Sequence, residues 1–421
     1  MDNVLVAVHV IVILAVAFQL YRKQVTLRAV FWPALLVKLI AGICLGLLYT
    51  YYYPVSDTFS YFRDGSQLAS LARADFRAYV GFLLSDNDVD STNLTLTAPR
   101  AMFLSKITSV FHLLTGGNYW TIALYFSLIS FLASWRFVGD INRHFPKATL
   151  AAVAAFLFLP SAVFWSSGLL KESLAIAALL VLCSLALRVW FDDRLTWRHL
   201  VLAVLALWIV WNLKYFYAGI LLPVVCATLF CKRFISRRFS AGVEALIWMG
   251  VFLLPLVAVS FLHPNFHFDR LLTVVVVNNS AYTQLSDPGD YVRFSNLTPT
   301  LSGVLFNTPQ ALFSGLFRPL PWEVNSETQL LAGFENAILL FFFAGALFRI
   351  KAYATSPHRL LVLALLVYIF LLCVFLTLSA PNFGTLSRYR VGYITFFTFL
   401  VLCSNPVLDY VERSFARLVR N

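Results

Sequence analysis

Long runs of apolar residues, separated by short charged stretches, follow one another along the whole chain. A membrane-spanning helix needs about 20 mostly apolar residues. Runs of roughly that length lie at 4–20, 29–53, 119–137, 149–167, 170–190, 242–261, 328–348 and 360–378. Shorter runs lie at 199–213, 216–231 and 392–405. The pattern predicts an all-α polytopic membrane protein of about 11 transmembrane helices, forming a single integral-membrane domain over residues 1–421.

The composition agrees with this pattern and excludes two other classes of protein. The 421 residues are 60% hydrophobic and only 12% charged, whereas about a quarter of a soluble domain is charged. The 40 phenylalanines exclude a disordered chain, because disordered segments contain few aromatic residues.

The net charge of +12 becomes informative once the basic residues are placed along the chain. Arg22, Lys23 and Arg28 follow the first run, which places the N-terminus outside. Alternating the loops then assigns six segments to the inner side: 21–28, 136–147, 188–198, 232–244, 349–359 and 406–421. They hold 19 of the 32 Lys and Arg residues but only six of the 20 acidic ones. The positive-inside rule therefore predicts an outer N-terminus and a cytoplasmic C-terminus.

The excess of basic residues does not indicate nucleic-acid binding. These residues are dispersed over short inner segments instead of forming one stripe, and no glycine-rich phosphate loop occurs there. The six cysteines lie within or at the ends of apolar runs, and no Cys/His spacing indicates metal ligands. The sequence therefore predicts no particular cofactor, although it does not exclude a divalent metal.

Two long outer loops, 54–118 and 262–327, contain most of the residues outside the apolar runs. Apolar residues recur at helical spacing in 64–84, 101–115 and 301–317, between polar positions. We expect interfacial amphipathic helices there, lying over a cavity between the spans. In the alternative, their apolar stripes pack against one another.

The first outer loop begins with SDTFSYFRDG, in which Asp57, Tyr61 and Asp64 share one face of a predicted helix. A carboxylate partly desolvated by tyrosines could remove a proton from a hydroxyl group, so both aspartates are candidate catalytic residues. In the structural alternative, Asp57 caps a helix that starts at Thr58.

Other charged residues recur at the predicted outer ends of the apolar runs, in the strings FWSSGLLKES, FRPLPWE and NFGTLSRYR and between two short runs. They are Lys171, Glu172, Lys214, Arg318, Glu323, Arg388 and Arg390, and Trp322 lies among them. Singly, such residues neutralise nearby acids or extend to lipid head groups. Several of the Lys and Arg residues, if they converge on one point, would instead bind a phosphate or pyrophosphate, for which arginine offers a bidentate fork.

The string SDTFSYFRDGSQLA, the amphipathic outer loops and the number of spans resemble the GT-C class of integral-membrane glycosyltransferases. FWSSGLLKE, LFRPLPWE and NFGTLSRYR are similar to stretches of bacterial polytopic proteins of cell-surface polysaccharide pathways. The resemblance implies a bacterial inner (plasma) membrane protein that takes a sugar from a polyprenyl-phosphate donor at the outer face. It also implies membrane lipid and other envelope-biosynthesis proteins as partners.

The resemblance further implies roles for the candidate residues. Asp57 would take the proton of the acceptor hydroxyl, while Tyr61 and Trp322 would face the sugar. Lys171 and the arginines at 318, 388 and 390 would bind the lipid phosphate as charge builds on it.

Two other functions compete with glycosyl transfer. A polymerase or ligase of lipid-linked glycans would use the pair Arg388 and Arg390 to bind pyrophosphate. A transporter, a flippase or a non-catalytic envelope subunit would need no base. We find neither an internal repeat nor matched broken spans, which disfavours a transporter.

Overall fold

The computed structural model describes residues 2–23, 26–53, 57–85, 94–235, 239–262, 267–324, 326–403 and 405–410. Within these ranges the chain is helical and contains no strand, and one isolated β-bridge joins Tyr291 to Asn382. Residues 411–421, which hold the basic end of the last predicted inner segment, lie outside the described residues.

The longer helices are α1 (Asp2–Arg22), α2 (Arg28–Tyr51), α3 (Asp57–Ala74), α5 (Pro99–Thr115), α6 (Tyr119–His144), α9 (Lys171–Trp190), α10 (Trp197–Phe234), α11 (Ala241–Leu262), α12 (Phe268–Gln284), α13 (Leu301–Phe317), α14 (Glu327–Leu347), α16 (Arg359–Ser379) and α18 (Val391–Leu402). The shorter ones are α4 (Phe76–Leu84), α7 (Thr149–Val153), α8 (Pro160–Trp165), α15 (Ile350–Ala354) and α17 (Phe383–Tyr389). A π-helical turn, Ala154–Phe158, continues α7.

Side-chain caps fix where several helices begin. Asn118, Thr300 and Asn382 accept hydrogen bonds from backbone N–H groups three residues later, at 3.0, 3.1 and 3.0 Å. Such caps satisfy N–H groups that have no partner inside the helix. The polar residues at these positions therefore determine the starts of α6, α13 and α17.

Eight helices in the described part are long and apolar enough to cross a membrane. They lie in Val4–Arg22, Arg28–Tyr51, Tyr119–His144, Lys171–Trp190, Trp197–Phe234, Ala241–Ala258, Gln329–Leu347 and Arg359–Ser379. Their outer surfaces remain apolar: Val4 and Ile11 of α1, for example, are 71% and 64% exposed. An apolar surface of this extent needs lipid around it. The prediction of an all-α membrane protein is confirmed in this respect, and the number 11 stays a prediction.

The difference in number arises at four of the predicted runs. The runs 199–213 and 216–231 form two helical segments that join at a kink at Lys214 (φ −147°, ψ 66°) and together make up the 38 residues of α10. The runs at 149–167 and 392–405 form shorter apolar helices, Pro146–Phe158 and Val391–Leu402.

The chain divides into two compact units. The first consists of Met1–Gly139, Ala162–Leu185 and Thr196–Tyr215. The second consists of Asp140–Ser161, Ala186–Leu195 and Phe216–Asn421.

The amphipathic stretch 64–84 of the first unit forms two helices instead of one. Asp75 separates α3 from α4, and its carboxylate accepts a hydrogen bond from Ala78 N at 2.9 Å. Leu68 of α3 and Tyr79 of α4 share a hydrophobic cluster with Met102 of α5. In this cluster apolar residues of α3, α4 and α5 pack against each other.

Helix α5 buries its polar side. Ser105, Thr108 and Ser109 are buried, whereas Val110 and Leu114, which belong to the predicted apolar stripe, are exposed. Small and hydroxyl-bearing residues let helices approach closely, while large apolar residues suit a lipid environment.

Helix α13 of the second unit has the same arrangement. Gly303, Asn307, Ala311 and Gly315 recur every four residues on its buried side, and Leu305 is exposed. Ala311 packs in a cluster with Val374 and Leu378 of α16. The predicted stripes are therefore divided: Val110 and Leu114 of α5 and Leu301 and Leu305 of α13 are exposed, whereas Leu316 and Phe317 of α13 are buried.

Five ion pairs in the second unit join residues that the charge pattern assigns to the inner side. They are Arg188–Asp140, Arg143–Asp193, Lys232–Asp192, Arg359–Glu244 and Arg349–Asp409. Each pair links two different predicted inner segments. The loops that the sequence assigns to one side therefore contact one another in the folded unit.

Candidate functional site

The backbone of the first unit is irregular at residues 166–170, between α8 and α9, although all five residues are buried. Gly168 has a positive φ of +67°. Buried irregular backbone is stable only where protein groups satisfy its N–H and C=O groups. The surrounding helices supply such groups.

Hydroxyl groups on three helices bind this segment. Ser127 Oγ of α6 accepts a hydrogen bond from Gly168 N at 2.9 Å, and Ser173 Oγ of α9 donates to Gly168 O at 2.7 Å. Thr58 Oγ1 of α3 donates to Leu169 O at 2.9 Å. These contacts explain why hydroxyl residues occur in apolar helices at these positions.

Lys38 of α2 also belongs to this network. Its ammonium group is buried inside a spanning helix and donates to Ser166 Oγ at 2.5 Å. Gly42, one turn later, lies against the same segment, since a Cβ atom there would lie 3.1 Å from Gly168 N. The sequence marks Lys38 as a charge inside an apolar run, and the fold gives it a structural partner.

The candidate base Asp57 lies beside this segment. Asp57 is the first residue described in α3, so its carboxylate lies in the first turn and interacts favourably with the helix dipole. The hydroxyl of the next residue, Thr58, binds Leu169 O and lies 2.9 Å from Tyr119 Oη. The start of α3 is therefore fixed against the backbone that leads into α9.

Lys171 extends this site from the other side. Its Nζ lies 5.4 Å from the centre of the Tyr61 ring, and Tyr61 is one helical turn from Asp57. The Tyr61 side chain is buried, while Asp57 and Lys171 are half-buried. The fold thus brings Lys171 to Tyr61, which lies more than a hundred positions earlier and one helical turn after Asp57.

Glu172 and Lys214 form a buried ion pair in the same unit. Lys214 Nζ lies 2.8 Å from Glu172 Oε1, and both side chains are almost wholly inaccessible to solvent. Glu172 follows Lys171 directly, so the pair joins the kink of α10 to the start of α9. Removing one partner of a buried ion pair costs about 3–5 kcal/mol, which makes this contact important for the shape of the site.

Asp64 has a different environment from Asp57. Its side chain is fully buried, and its two carboxylate oxygens accept hydrogen bonds from Thr95 N and Leu96 N at 2.9 and 3.0 Å. A carboxylate bound to two backbone N–H groups holds a loop in place. The described contacts of Asp64 are therefore structural, and its catalytic role stays a prediction.

The remaining candidates lie in the second unit. Arg318 Nε donates to Glu323 Oε1 and Oε2 at 2.8 and 3.0 Å, and its guanidinium lies 5.3 Å from the centre of the Phe383 ring. Glu323 also accepts from Leu320 N at 2.8 Å. Trp322 is 77% exposed.

Arg390 is buried next to Arg318. Its Nη1 lies 3.5 Å from Arg318 O, and its Nη2 lies 3.5 Å from Oε1 of Glu335. Glu335 accepts hydrogen bonds from Ser161 N at 2.7 Å and Ser161 Oγ at 2.5 Å. Arg388 is half-buried, on the last turn of α17.

Sequence reasoning missed the residues whose roles depend on distant backbone. Thr58, Ser127 and Ser161 are short polar residues without a motif, and each binds a group more than 40 positions away. The one available signal was that hydroxyl residues recur inside or next to apolar runs. Among the described residues, no group of three or more His, Cys, Asp or Glu side chains could hold a metal ion.

The chain matches no protein-family model, no curated protein and no solved structure. Any proposal about its function therefore rests on the two groups of residues described above, one in each unit.

Proposed function

We propose that the protein is a membrane glycosyltransferase that moves a sugar from a polyprenyl-phosphate donor to an acceptor hydroxyl. The observation that carries this proposal is the geometry of the first unit. There Asp57 lies in the first turn of α3, one turn before Tyr61, and Nζ of Lys171, at the start of α9, lies 5.4 Å from the centre of the Tyr61 ring.

In the proposed reaction, Asp57 removes the proton of the acceptor hydroxyl. The acceptor oxygen forms a bond to the anomeric carbon of the sugar, and the bond between that carbon and the phosphate oxygen breaks. Polyprenyl phosphate leaves with the bonding electrons. Lys171 stabilises the negative charge that develops on this phosphate.

The proposal includes the orientation of the protein. We propose a bacterial inner membrane, with the N-terminus outside, the C-terminus in the cytoplasm and the chemistry at the outer face. The distribution of Lys and Arg supports this orientation. The ion pairs among the predicted inner segments of the second unit agree with it.

The experiment compares D57N with the wild type. Purified full-length protein in lipid discs is incubated with a panel of polyprenyl-phosphate sugars, and released polyprenyl phosphate is measured. We expect the substitution to lower release by about 10²–10⁴-fold, because a positioned base contributes that much. Unchanged release would remove Asp57 from the mechanism.

The matched control is D75N. Asp75 is an exposed acid of the same loop, and asparagine preserves its cap on α4. This variant should release polyprenyl phosphate as the wild type does. Equal melting temperatures of both variants would show that D57N acts on the chemistry and not on folding.

A polymerase or ligase of lipid-linked glycans is the second candidate. The contact of Arg390 with the carbonyl of Arg318 favours it, because two arginine-bearing motifs meet in the second unit. Product analysis separates the two reactions: a transferase adds one sugar, whereas a polymerase lengthens a chain.

A further inference from the structure

A cavity of about 360 Å³ lies in the second unit, between the ends of three apolar helices. Its wall includes Trp190 at the end of α9, Glu244 in the first turn of α11 and Arg359 at the start of α16. Pockets that bind small ligands have volumes of about 300–1,000 Å³. These three helix ends belong to segments that the charge pattern assigns to the inner side. A cavity between such ends lies at the depth of lipid head groups.

Glu244 and Arg359 form an ion pair in the wall of this cavity. Arg359 Nε donates to Glu244 Oε2, and Arg359 Nη2 donates to the carbonyl of Phe239 at 3.3 Å. The Glu244 side chain is only 2% exposed, whereas that of Arg359 is 31% exposed. Among the described residues, the hydrogen bonds of this pair use neither Glu244 Oε1 nor Arg359 Nη1. One acceptor and one donor of the pair are therefore available to a ligand.

Two hydroxyl groups of the loop between α15 and α16 add to the polar wall. Thr355 Oγ1 donates to Lys351 O at 2.9 Å, so its oxygen can still accept a hydrogen bond. Ser356 Oγ accepts from His358 N at 3.1 Å, so its own O–H can still donate. The cavity thus offers a further acceptor and a further donor beside the ion pair.

A ligand that matches this wall carries both an anionic acceptor and a cationic donor. The guanidinium of Arg359 favours the oxygens of a phosphate, and the carboxylate of Glu244 favours the N–H groups of a primary ammonium. Trp190 and Phe239 supply aromatic surface for the carbon atoms between the two charges. A choline group has no N–H to donate, and a glycerol head group has no ammonium.

We infer that the cavity binds a phosphoethanolamine group, with the phosphate at Arg359 and the ammonium at Glu244. Ser356 donates to the phosphate, and Thr355 accepts from the ammonium. Ethanolamine phospholipids present this group at the depth of the helix ends. The inference concerns binding alone, uses none of the residues of the proposed transfer reaction and does not rest on that reaction.

Calorimetry with the full-length protein in maltoside detergent compares dihexanoyl phospholipids that differ only in the head group. The ethanolamine lipid should bind at one site per chain. The choline and glycerol lipids should each bind at least about tenfold more weakly, because each loses the charge-assisted hydrogen bonds to Glu244. Equal affinity for the ethanolamine and choline lipids would overturn the inference.

E244Q distinguishes ligand binding from a structural role of the ion pair. The amide keeps the shape of the side chain but removes the charge that attracts the ammonium, while Arg359 still meets the phosphate of either lipid. The preference for the ethanolamine lipid over the glycerol lipid should therefore fall about tenfold. A purely structural role would leave this preference unchanged, which would contradict the inference. The control D287N changes an exposed acid of the same unit and should leave the preference as in the wild type.

Soluble phosphoethanolamine identifies the source of the group. Displacement of the ethanolamine lipid by it would show that the free head group suffices. Saturable lipid binding without displacement would assign the cavity to membrane lipid, and either result supports the inference. Absence of saturable binding by both compounds would overturn it. If E244Q does not fold, the comparison of the ethanolamine and choline lipids on the wild type decides.

Discussion

Several buried polar side chains in the first unit bind the backbone where two helices, α8 and α9, are interrupted. The interruption at 166–170 leaves backbone groups that a continuous helix would pair internally, and Thr58, Ser127 and Ser173 bind them. In lipid each unpaired group would cost several kcal/mol. The same interruption places Lys171 at the start of α9, beside Tyr61. Structural and candidate functional residues therefore depend on one break in the backbone.

The close approach of Gly42 to this segment gives a residue-scale prediction. In G42A the new methyl carbon would lie 2.3 Å from Ser127 Oγ and 3.1 Å from Gly168 N. It would displace the serine that binds Gly168, so we expect a loss of about 1–3 kcal/mol in stability. Thermal unfolding in detergent measures this loss. G139A is the control, since a Cβ atom at Gly139 meets nothing within 4 Å. Equal melting temperatures of the two variants would contradict the prediction.

The sequence predicted the helix that holds Asp57 and Asp64 but not the different contacts of these two acids. Helical spacing correctly placed Asp57, Tyr61 and Asp64 in one helix. It could not distinguish the two acids, because Asp64 binds backbone groups 31 and 32 positions later. These hydrogen bonds form only when the loop folds, so the structural contacts of Asp64 could not be predicted from the sequence.

Small and hydroxyl residues contribute much of the buried side of helices α5 and α13, while several large apolar residues, such as Leu114 and Leu305, are exposed. Without a hydrophobic driving force between helices in lipid, close packing helps to determine which side faces inward. The spacing of apolar residues agrees with the helical geometry of both segments. It did not determine which side of each helix is buried, because reasoning from soluble proteins turns all large apolar residues inward.

Gly315 of α13 gives the element-scale prediction. In G315V the new Cβ would lie 2.2 Å from Thr377 Oγ1 and 2.5 Å from Cys373 Sγ of α16. We expect α13 to move from α16, with a loss of about 1–3 kcal/mol in the free energy of unfolding. The control F306V removes bulk from a side chain of the same helix that is 70% exposed, and it should change stability by less than about 0.5 kcal/mol. Thermal unfolding compares the two variants, and a larger loss in F306V would contradict this account of the packing.

At the scale of the whole molecule, the distribution of Lys and Arg predicts which loops lie on the inner side of the membrane and which lie on the outer side. The second unit joins predicted inner segments to one another through ion pairs such as Arg188–Asp140 and Arg359–Glu244. The positive-inside rule assigns loops rich in Lys and Arg to the cytoplasmic side, and these ion pairs show that several such loops contact one another within the second unit.

Labelling with a membrane-impermeant maleimide tests which face this is. Single cysteines are introduced as R77C in the first outer loop and R194C in a predicted inner segment, after the six native cysteines are replaced. Both positions are exposed. In intact cells R77C should be labelled and R194C should not, whereas both should react in opened membranes. The reverse pattern would invert the topology and move the proposed chemistry to the cytoplasmic face.

The amino-acid sequence alone predicts the helical class, because a helix in lipid must pair its own backbone and must be apolar over its length. These are local requirements that each segment meets alone. The tertiary structure decided which polar groups meet: Thr58 with Leu169, Lys214 with Glu172, and Glu335 with Ser161. Such contacts join distant positions, and their energies depend on burial and geometry that arise only when the helices pack.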